Sequence, residues 1–330
     1  MGGFYHFYLT TKENTENLKY IKPFFKMNHL EFIDQLETTN EVPMANTISR
    51  DTFYKQYVNK GKPVVIRGMT SNWKALKWNT EYFKSKERGV KIPIKMGKIE
   101  EGRKEQMLLS DYIQFLDKYE EDIKKGLTPE MIGYLHDLPF FYMFPEYVSD
   151  ISPFPKELLP KWYWSDWQDY IQFFMGSTGS LTPLHFDTLL TNNLFFQVVG
   201  KKKFILIDGD QKDLCYIKGW RWANIDPTKP DYDKFPKAKR IKKMEVILEP
   251  GDILYMPSGM LHQVHGLSHS ISFNIDWHTP KTARNGVATL LKGAPLKNVY
   301  YNTLLCLGLS LNIPAKRIFP LYKSYLNYVS

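Results

Sequence analysis

The stretch GSLTPLHFD (179–187), followed by NNLFFQVVGKKKFIL (192–206), decides how this chain is read. The run LTPLH leads to His185, and Asp187 stands two residues beyond it. Strand side chains alternate between faces, so residues i and i+2 share one face and point the same way. One imidazole and one carboxylate can then hold a single cation. The next runs, NNLFFQVVG and KKFILIDG, are rich in β-branched and aromatic residues and are broken at Gly200, which is the pattern of consecutive strands.

A second imidazole has to come from elsewhere. His262 follows EPGDILYMPSGML (249–261), where a strand and a tight turn with Pro257 and Gly259 return the chain to the same end of the sheet. Two neutral imidazoles and one carboxylate, with three coordination positions open, form the arrangement used by non-haem Fe(II) oxygenases. A His-x-Asp pair alone is also what a surface strand or a satisfied core histidine produces, so its surroundings carry the weight.

Those surroundings are short strand-like runs between turn signals: FFMGSTGSLTPLHFD, NNLFFQVVG, KKFILIDG, MEVILEPGDILYMP and SISFNIDWH. They predict an antiparallel barrel or jelly roll. A Pro-, Asp- and Lys-rich stretch, 219–239, reads as a long insert between strands. Upstream, Ser49 N-caps a helix in SRDTFYKQY, KPVVIRG is a strand ended by Gly68, and residues 108–126 carry a helix with Ile113, Leu116 and Ile123 on one side and Gly126 as its stop. A short helix is expected within KPFFKMNHLEFIDQLE (22–37), with Pro43 as a boundary. After Pro280 the chain turns helical. The expected organisation is an N-terminal extension (1–48), an oxygenase-type β-domain (49–280) and a helical C-terminal segment (281–330).

The bulk numbers agree with a globular protein. The 330 residues are 43% hydrophobic and 15% aromatic, enough for a large core. A net charge of +9 favours an acidic partner such as nucleic acid, an acidic protein segment or an anionic cosubstrate, yet Lys and Arg are spread along the chain rather than gathered in one tail. Cys215 and Cys306 have neither disulfide-framework nor zinc-site spacing, and a reducing compartment fits them. The N-terminus has no apolar secretory core, and His6 replaces the Ser or Thr that a myristoylation signal wants. The apolar stretch 304–313 is too short for a bilayer and stops at Pro314. The expectation is a cytoplasmic protein without a membrane span, with the nucleus left open.

Four blocks resemble the Jumonji-C (cupin-like) family of Fe(II), 2-oxoglutarate oxygenases: KPVVIRG with Trp73 and Trp78, GSLTPLHFD, NNLFFQVVGKKKFIL, and EPGDILYMPSGMLHQV with SISFNIDWH. IDPTKPDYDKFPKAK (225–239) is similar to an insert found in cupin-like relatives. The resemblance is to the protein-hydroxylase branch that includes factor inhibiting hypoxia-inducible factor, and it implies a double-stranded β-helix core with flanking helices. By that resemblance His185, Asp187 and His262 match the iron ligands. Lys202 matches the lysine that pairs with the distal carboxylate of 2-oxoglutarate, Thr182 the hydroxyl beside it, Asn193 and Asn274 pocket-lining residues, and Tyr134 in GYLHDLP a tyrosine reaching the same carboxylate.

Independent physical reasoning supports Lys202, because a dianion chelating a metal at one end needs a buried cation at the other. Its rival is a solvated hairpin edge in which 201–203 merely guard the strands. Thr182 falls on the opposite face from His185 by strict alternation unless Pro183 disturbs the strand. Asn192 stands as an alternative to Asn193. Ser270, Ser272, Asn274 and Asp276 alternate with Ile271, Phe273 and Ile275, so Asn274 lies on a polar face. His265, His269 and His278 read as solvated or core histidines, and 236–243 as a charged loop entering a strand.

The resemblance implies Fe(II), 2-oxoglutarate and O2 as reactants and hydroxylation of a protein or peptide side chain. N-methyl-lysine demethylation, hydroxylation of a tRNA base or a small metabolite, and a catalytically silent cupin that only binds a ligand are the alternatives. The basic charge mildly favours RNA among these. The C-terminal apolar residues Leu290, Leu291, Tyr300, Leu304, Leu305 and Leu307 suit either packing on the barrel or a homodimer interface.

Overall fold

The structure, a computed structural model, describes residues 40–86 and 88–325. The helix expected within 22–37 lies outside them. The runs that read as strands form β1 (Ile171–Gly176), β2 (Leu181–His185), β3 (Asn192–Val199), β4 (Lys202–Ile207), β5 (Lys243–Leu248), β6 (Ile253–Met256), β7 (Leu261–Gly266) and β8 (Ser270–Trp277).

Two antiparallel sheets result, with β5-β4-β7-β2 side by side in one and β6-β3-β8-β1 in the other. Consecutive strands switch sheets except β4 and β5, which are neighbours joined by the long insert. This winding is a double-stranded β-helix, the jelly roll expected from the strand pattern. Both sheets are extended at their edges. Asn40–Glu41 runs parallel to β5, and Met44–Asn46 runs parallel to Val64–Arg67, which itself pairs with β6. Sheet strands therefore precede residue 49, where the β-domain was expected to begin. Leu135–Leu138 borders β1, and Trp222–Ala223, inside the insert, borders β2.

β1, β3 and β8 are buried on both faces, which explains their near-continuous apolar sequence. Between the sheets lie Phe174, Phe195, Phe204, Leu206 and Met256. On the other face Phe173, Phe196, Ile271, Phe273 and Ile275 pack beneath flanking segments, among them Trp73, Trp78 and the aromatic stretch from Phe140 to Tyr163. Each such ring or branched chain contributes about 1.5–3 kcal/mol by leaving water. Phe140 stacks on Phe173 with centroids 4.3 Å apart. The alternation along β8 therefore runs apolar toward the helices and polar toward the barrel interior. An interior lined with polar atoms is built to receive something.

The flanks follow their local signals. Ser49 caps Arg50–Phe53 by accepting from the Thr52 amide, and the chain continues as a wider π-helical stretch, Tyr54–Val58. Leu109–Lys124 buries Tyr112, Ile113 and Leu116, leaves Ile123 half-buried, and ends before Gly126 at φ 76°. The C-terminal helices Pro280–Ala288, Leu296–Ser310 and Ala315–Tyr322 place Leu305, Phe319 and Tyr322 in the core. Leu304 is only partly buried there, whereas Leu290, Leu291, Tyr300 and Leu307 are exposed, so packing on the barrel accounts for part of that apolar set. No helix among the described residues is long and apolar enough to cross a membrane.

Gly200, at the β3–β4 turn, has φ 71°, and a Cβ built there would sit 1.9 Å from the His269 carbonyl oxygen. That oxygen belongs to backbone leading into β8 and cannot step aside. Gly200→Ala is expected to destabilise the fold by about 2–4 kcal/mol, lowering Tm on the order of 5–10 °C. An unchanged melting curve would show that the turn relaxes freely.

Candidate metal centre and its cavity

His185 and His262 face each other across the β2–β7 pair, which puts their rings 4.2 Å apart between centroids. His185 Nδ1 lies 2.7 Å from the Pro183 carbonyl and His262 Nδ1 3.3 Å from that of Met260. Donation from each Nδ1–H leaves both Nε2 lone pairs for a cation. Burial, helped by the neighbouring His262 and Arg221, holds His185 well below the usual imidazole range, so it is neutral and ready to ligate.

Asp187 completes the group, but not as strict alternation expects. β2 ends at His185, and Asp187 opens a turn closed by the Leu190 amide on its carbonyl at 2.8 Å. Its Oδ1 lies 3.7 Å from His262 Nε2, while Oδ2 accepts from Asn193 Nδ2 at 3.1 Å. One candidate ligand atom from each of the three residues falls within 4.8 Å of the others. The turn and the asparagine, rather than the strand, aim this carboxylate. Two neutral imidazoles and a carboxylate with an open side suit a divalent first-row ion such as Fe(II).

Thr182 shows a second departure from alternation. Three residues of β7, from His262 to Val264, oppose four of β2, from His185 back to Thr182. The extra residue forms a bulge at Pro183 and Leu184, and it turns Thr182 onto the same cavity wall as His185. That wall belongs to a cavity lined also by Tyr134, Asn193, Asn274 and the metal group. Asn192 instead accepts from the Tyr255 hydroxyl at 2.8 Å, so Asn193 is the one that faces the cavity.

The three lysines 201–203 divide by strand period. Lys201 pairs with Glu249 at 2.6 Å and Lys203 with Glu245 at 2.7 Å, while Lys202 points inward and is 1% exposed. Its Nζ donates to the Tyr134 hydroxyl and to Ser272 Oγ, each at 2.8 Å, and is enclosed by the rings of Tyr134, Phe174 and Phe195. Among the described residues no carboxylate pairs with it. Burial lowers its pKa to about 7. A buried cation left with two hydroxyls and aromatic faces is an incomplete site, and an incoming carboxylate completes it.

Sequence reasoning did not single out several residues of this cavity. His136 and Asp137 lie in the quoted GYLHDLP and form a buried cluster with Lys95: Asp137 Oδ2 is 3.0 Å from Lys95 Nζ and 2.8 Å from His136 Nδ1. His136 Nε2 lies 3.4 Å from Thr182 Oγ1. Burial lowers His136 to about 4; burial alone would raise Asp137, but His136 and Lys95 hold its carboxyl far below the usual range. Arg221 rests over Trp222 at 4.5 Å, and Trp222 lies against His185. Tyr325, from the C-terminal segment, also reaches the cavity. Asp276 was visible on the polar face of β8 and could have been found by asking why an acid recurs there. His265 contacts Gln263 and His278 is fully buried with Nδ1 3.0 Å from Thr282 Oγ1, so both stand outside the metal group.

Residues 49–283 match the family described as the cupin-like domain. The chain is similar to the arginine-specific demethylase JMJ20 of Arabidopsis thaliana, 26% identical over 75% of this chain and 58% of that protein. It is also similar to lysine-specific demethylase 8 of Danio rerio, at 28% over 73% and 59% of the respective chains. A third relative, the 2-oxoglutarate and iron-dependent oxygenase JMJD4 of Gallus gallus, is 26% identical over 83% of this chain and 64% of its own. The chain thus spans little more than half the length of these curated relatives.

Proposed function

The chain belongs to the cupin-like domain family, and on that footing we propose that it is an Fe(II)- and 2-oxoglutarate-dependent oxygenase that hydroxylates a protein or peptide side chain. The observation that carries this reading is the His185–Asp187–His262 group opening on a cavity backed by Lys202, a buried cation with no counter-anion among the described residues. Fe(II) with 2-oxoglutarate and O2 supplies oxidation of an unactivated C–H bond, coupled to decarboxylation of the cosubstrate to succinate.

The chain's own residues do the positioning. His185, kept neutral by burial, and His262 bring ring nitrogens, and Asp187 a carboxylate fixed by Asn193. Lys202 receives the distal carboxylate, with Tyr134 and Ser272 holding the ammonium in place. Phe174, Phe195 and Phe204 keep water from that end, which strengthens the ion pair. Thr182, steadied by His136, offers a hydroxyl to the same ligand.

Purified protein loaded with Fe(II) and given 2-oxoglutarate and O2 is expected to form succinate slowly without substrate, and His185→Ala to stop it. Failure to bind either metal or cosubstrate would overturn the reading and favour a silent cupin. Mass spectrometry of treated cell extract then separates products. Oxygen gained on a peptide supports hydroxylation; a lost methyl group moves the activity to demethylation, and oxygen on a nucleoside moves it to RNA.

Cosubstrate binding should also depend on pH. The Lys202 pKa is lowered to about 7 in the free protein, and only the ammonium pairs with a carboxylate. Affinity is therefore expected to be flat below pH 7 and to fall about tenfold per unit above it, with proton uptake on binding visible by calorimetry in buffers of different ionisation enthalpy. The same lowering means that the free fold binds fewer protons than the unfolded chain between pH 7 and the ordinary lysine range, so its stability from this group rises with pH there. Binding and stability should respond in opposite directions.

A further inference from the structure

The jelly roll alone does not close the cavity that holds the metal group. Tyr325 lines it together with His185, Asp187 and His262, yet lies beyond residues 49–283, the part that matches the cupin-like domain. It follows the last helix, Ala315–Tyr322, and is 2% exposed. Its ring packs against Tyr322 and Tyr301, with centroids 5.2 Å and 5.4 Å away, and Tyr322 packs in turn on Tyr170, just before β1. Beside it, Ser324 Oγ lies 3.0 Å from the Tyr301 hydroxyl. One side of Tyr325 is therefore anchored on the C-terminal helices, and the other belongs to the cavity.

Its neighbours fix which end of the cavity it covers. Burial, then Asp276 and Asp187, hold its phenol well above the usual tyrosine range, so it stays protonated. Asp187 belongs to the metal group, and Asp276 stands in register with Asn193, the residue that aims the Asp187 carboxylate. Tyr325 thus stands at the metal end, away from Lys202, where the oxygenase reading puts the distal carboxylate of the cosubstrate. Its hydroxyl has no hydrogen-bond partner among the described residues. A buried phenol ordinarily finds one, so the partner here is a group that arrives from outside.

We propose that Tyr325 is the substrate-side wall of this site: its ring keeps water off the open side of the metal group, and its hydroxyl hydrogen-bonds the substrate group presented there. The proposal rests on the oxygenase reading for its metal and cosubstrate. The strands then supply the residues for both, and the C-terminal segment supplies the surface that the substrate meets. A tyrosine that only packs the C-terminal helices would leave the metal's contact with water as it is when its ring is removed.

The test separates ring from hydroxyl. Full-length protein loaded with Mn(II) and 2-oxoglutarate reports the metal's contact with water through water-proton relaxation. Tyr325→Ala is expected to raise that relaxation about twofold or more while Mn(II) and 2-oxoglutarate still bind, and Tyr325→Phe, which keeps the ring, to leave it at the wild-type value. With Fe(II), Tyr325→Phe is expected to form succinate without substrate at the wild-type rate but to lower product formation in treated cell extract several-fold, because only the substrate meets the hydroxyl. Relaxation unchanged in Tyr325→Ala overturns the proposal, and so does full product formation by Tyr325→Phe, a variant that keeps the ring packing. Absence of Mn(II) and cosubstrate binding in the wild type overturns the oxygenase reading itself, a result distinct from either.

Discussion

Replacing Asp187 with alanine is expected to lower divalent-metal affinity by well over 100-fold, measured by calorimetry with Mn(II) or Zn(II), and to abolish succinate formation. Loss of an outer partner of a metal ligand typically costs 10–100-fold, and here the ligand itself is removed together with the only negative charge of the His185–Asp187–His262 group. The two imidazoles that remain are neutral and cannot offset the charge of a divalent ion. Asn193 loses its acceptor in the same substitution, so its amide would be buried without a partner. Asn193→Ala should therefore reproduce a milder form of the same defect, in the 10–100-fold range, because the carboxylate stays but is no longer aimed. Metal affinity unchanged in Asp187→Ala would exclude this carboxylate as a ligand.

Lys202→Met is the second large effect, and it separates binding from folding. Truncating one partner of a buried ion pair costs about 2–5 kcal/mol, which is on the order of 30- to 3,000-fold in the dissociation constant of 2-oxoglutarate. Metal binding should survive, since Lys202 lies outside the metal group. The fold should gain rather than lose stability, because methionine fills the space among Tyr134, Phe174 and Phe195 without a desolvated charge. A variant with weaker cosubstrate binding and a higher Tm is the expected signature. Weakened binding together with a lower Tm would instead make Lys202 a structural residue.

The residues around these two sites differ in how far sequence could place them. The strand runs, Gly200, the Ser49 cap and the helix at 109–124 were legible because each depends on neighbours along the chain: period, turn residue and cap. Lys202 was singled out by the resemblance and by a dianion's need for a buried cation, and the structure sends it inward while Lys201 and Lys203 pair with Glu249 and Glu245. Thr182 defied that rule, because its facing is decided by a bulge that exists only where β2 meets β7. Asp187 likewise depends on a turn and on Asn193 rather than on its spacing from His185.

Sequence by itself determined the strand runs and the jelly-roll class, because these follow from local periodicity, and it pointed to the candidate metal group through the resemblance of the motifs around it. Tertiary structure alone decided which polar atoms are buried without partners. His136, Asp137, Arg221, Asp276 and Tyr325 come from separate segments of the chain yet line one cavity, and Lys95 pairs with Asp137 there. Desolvation is a property of the assembled site, not of a residue. It makes Lys202 wait for an anion, and it appears only when the sheets close around that lysine.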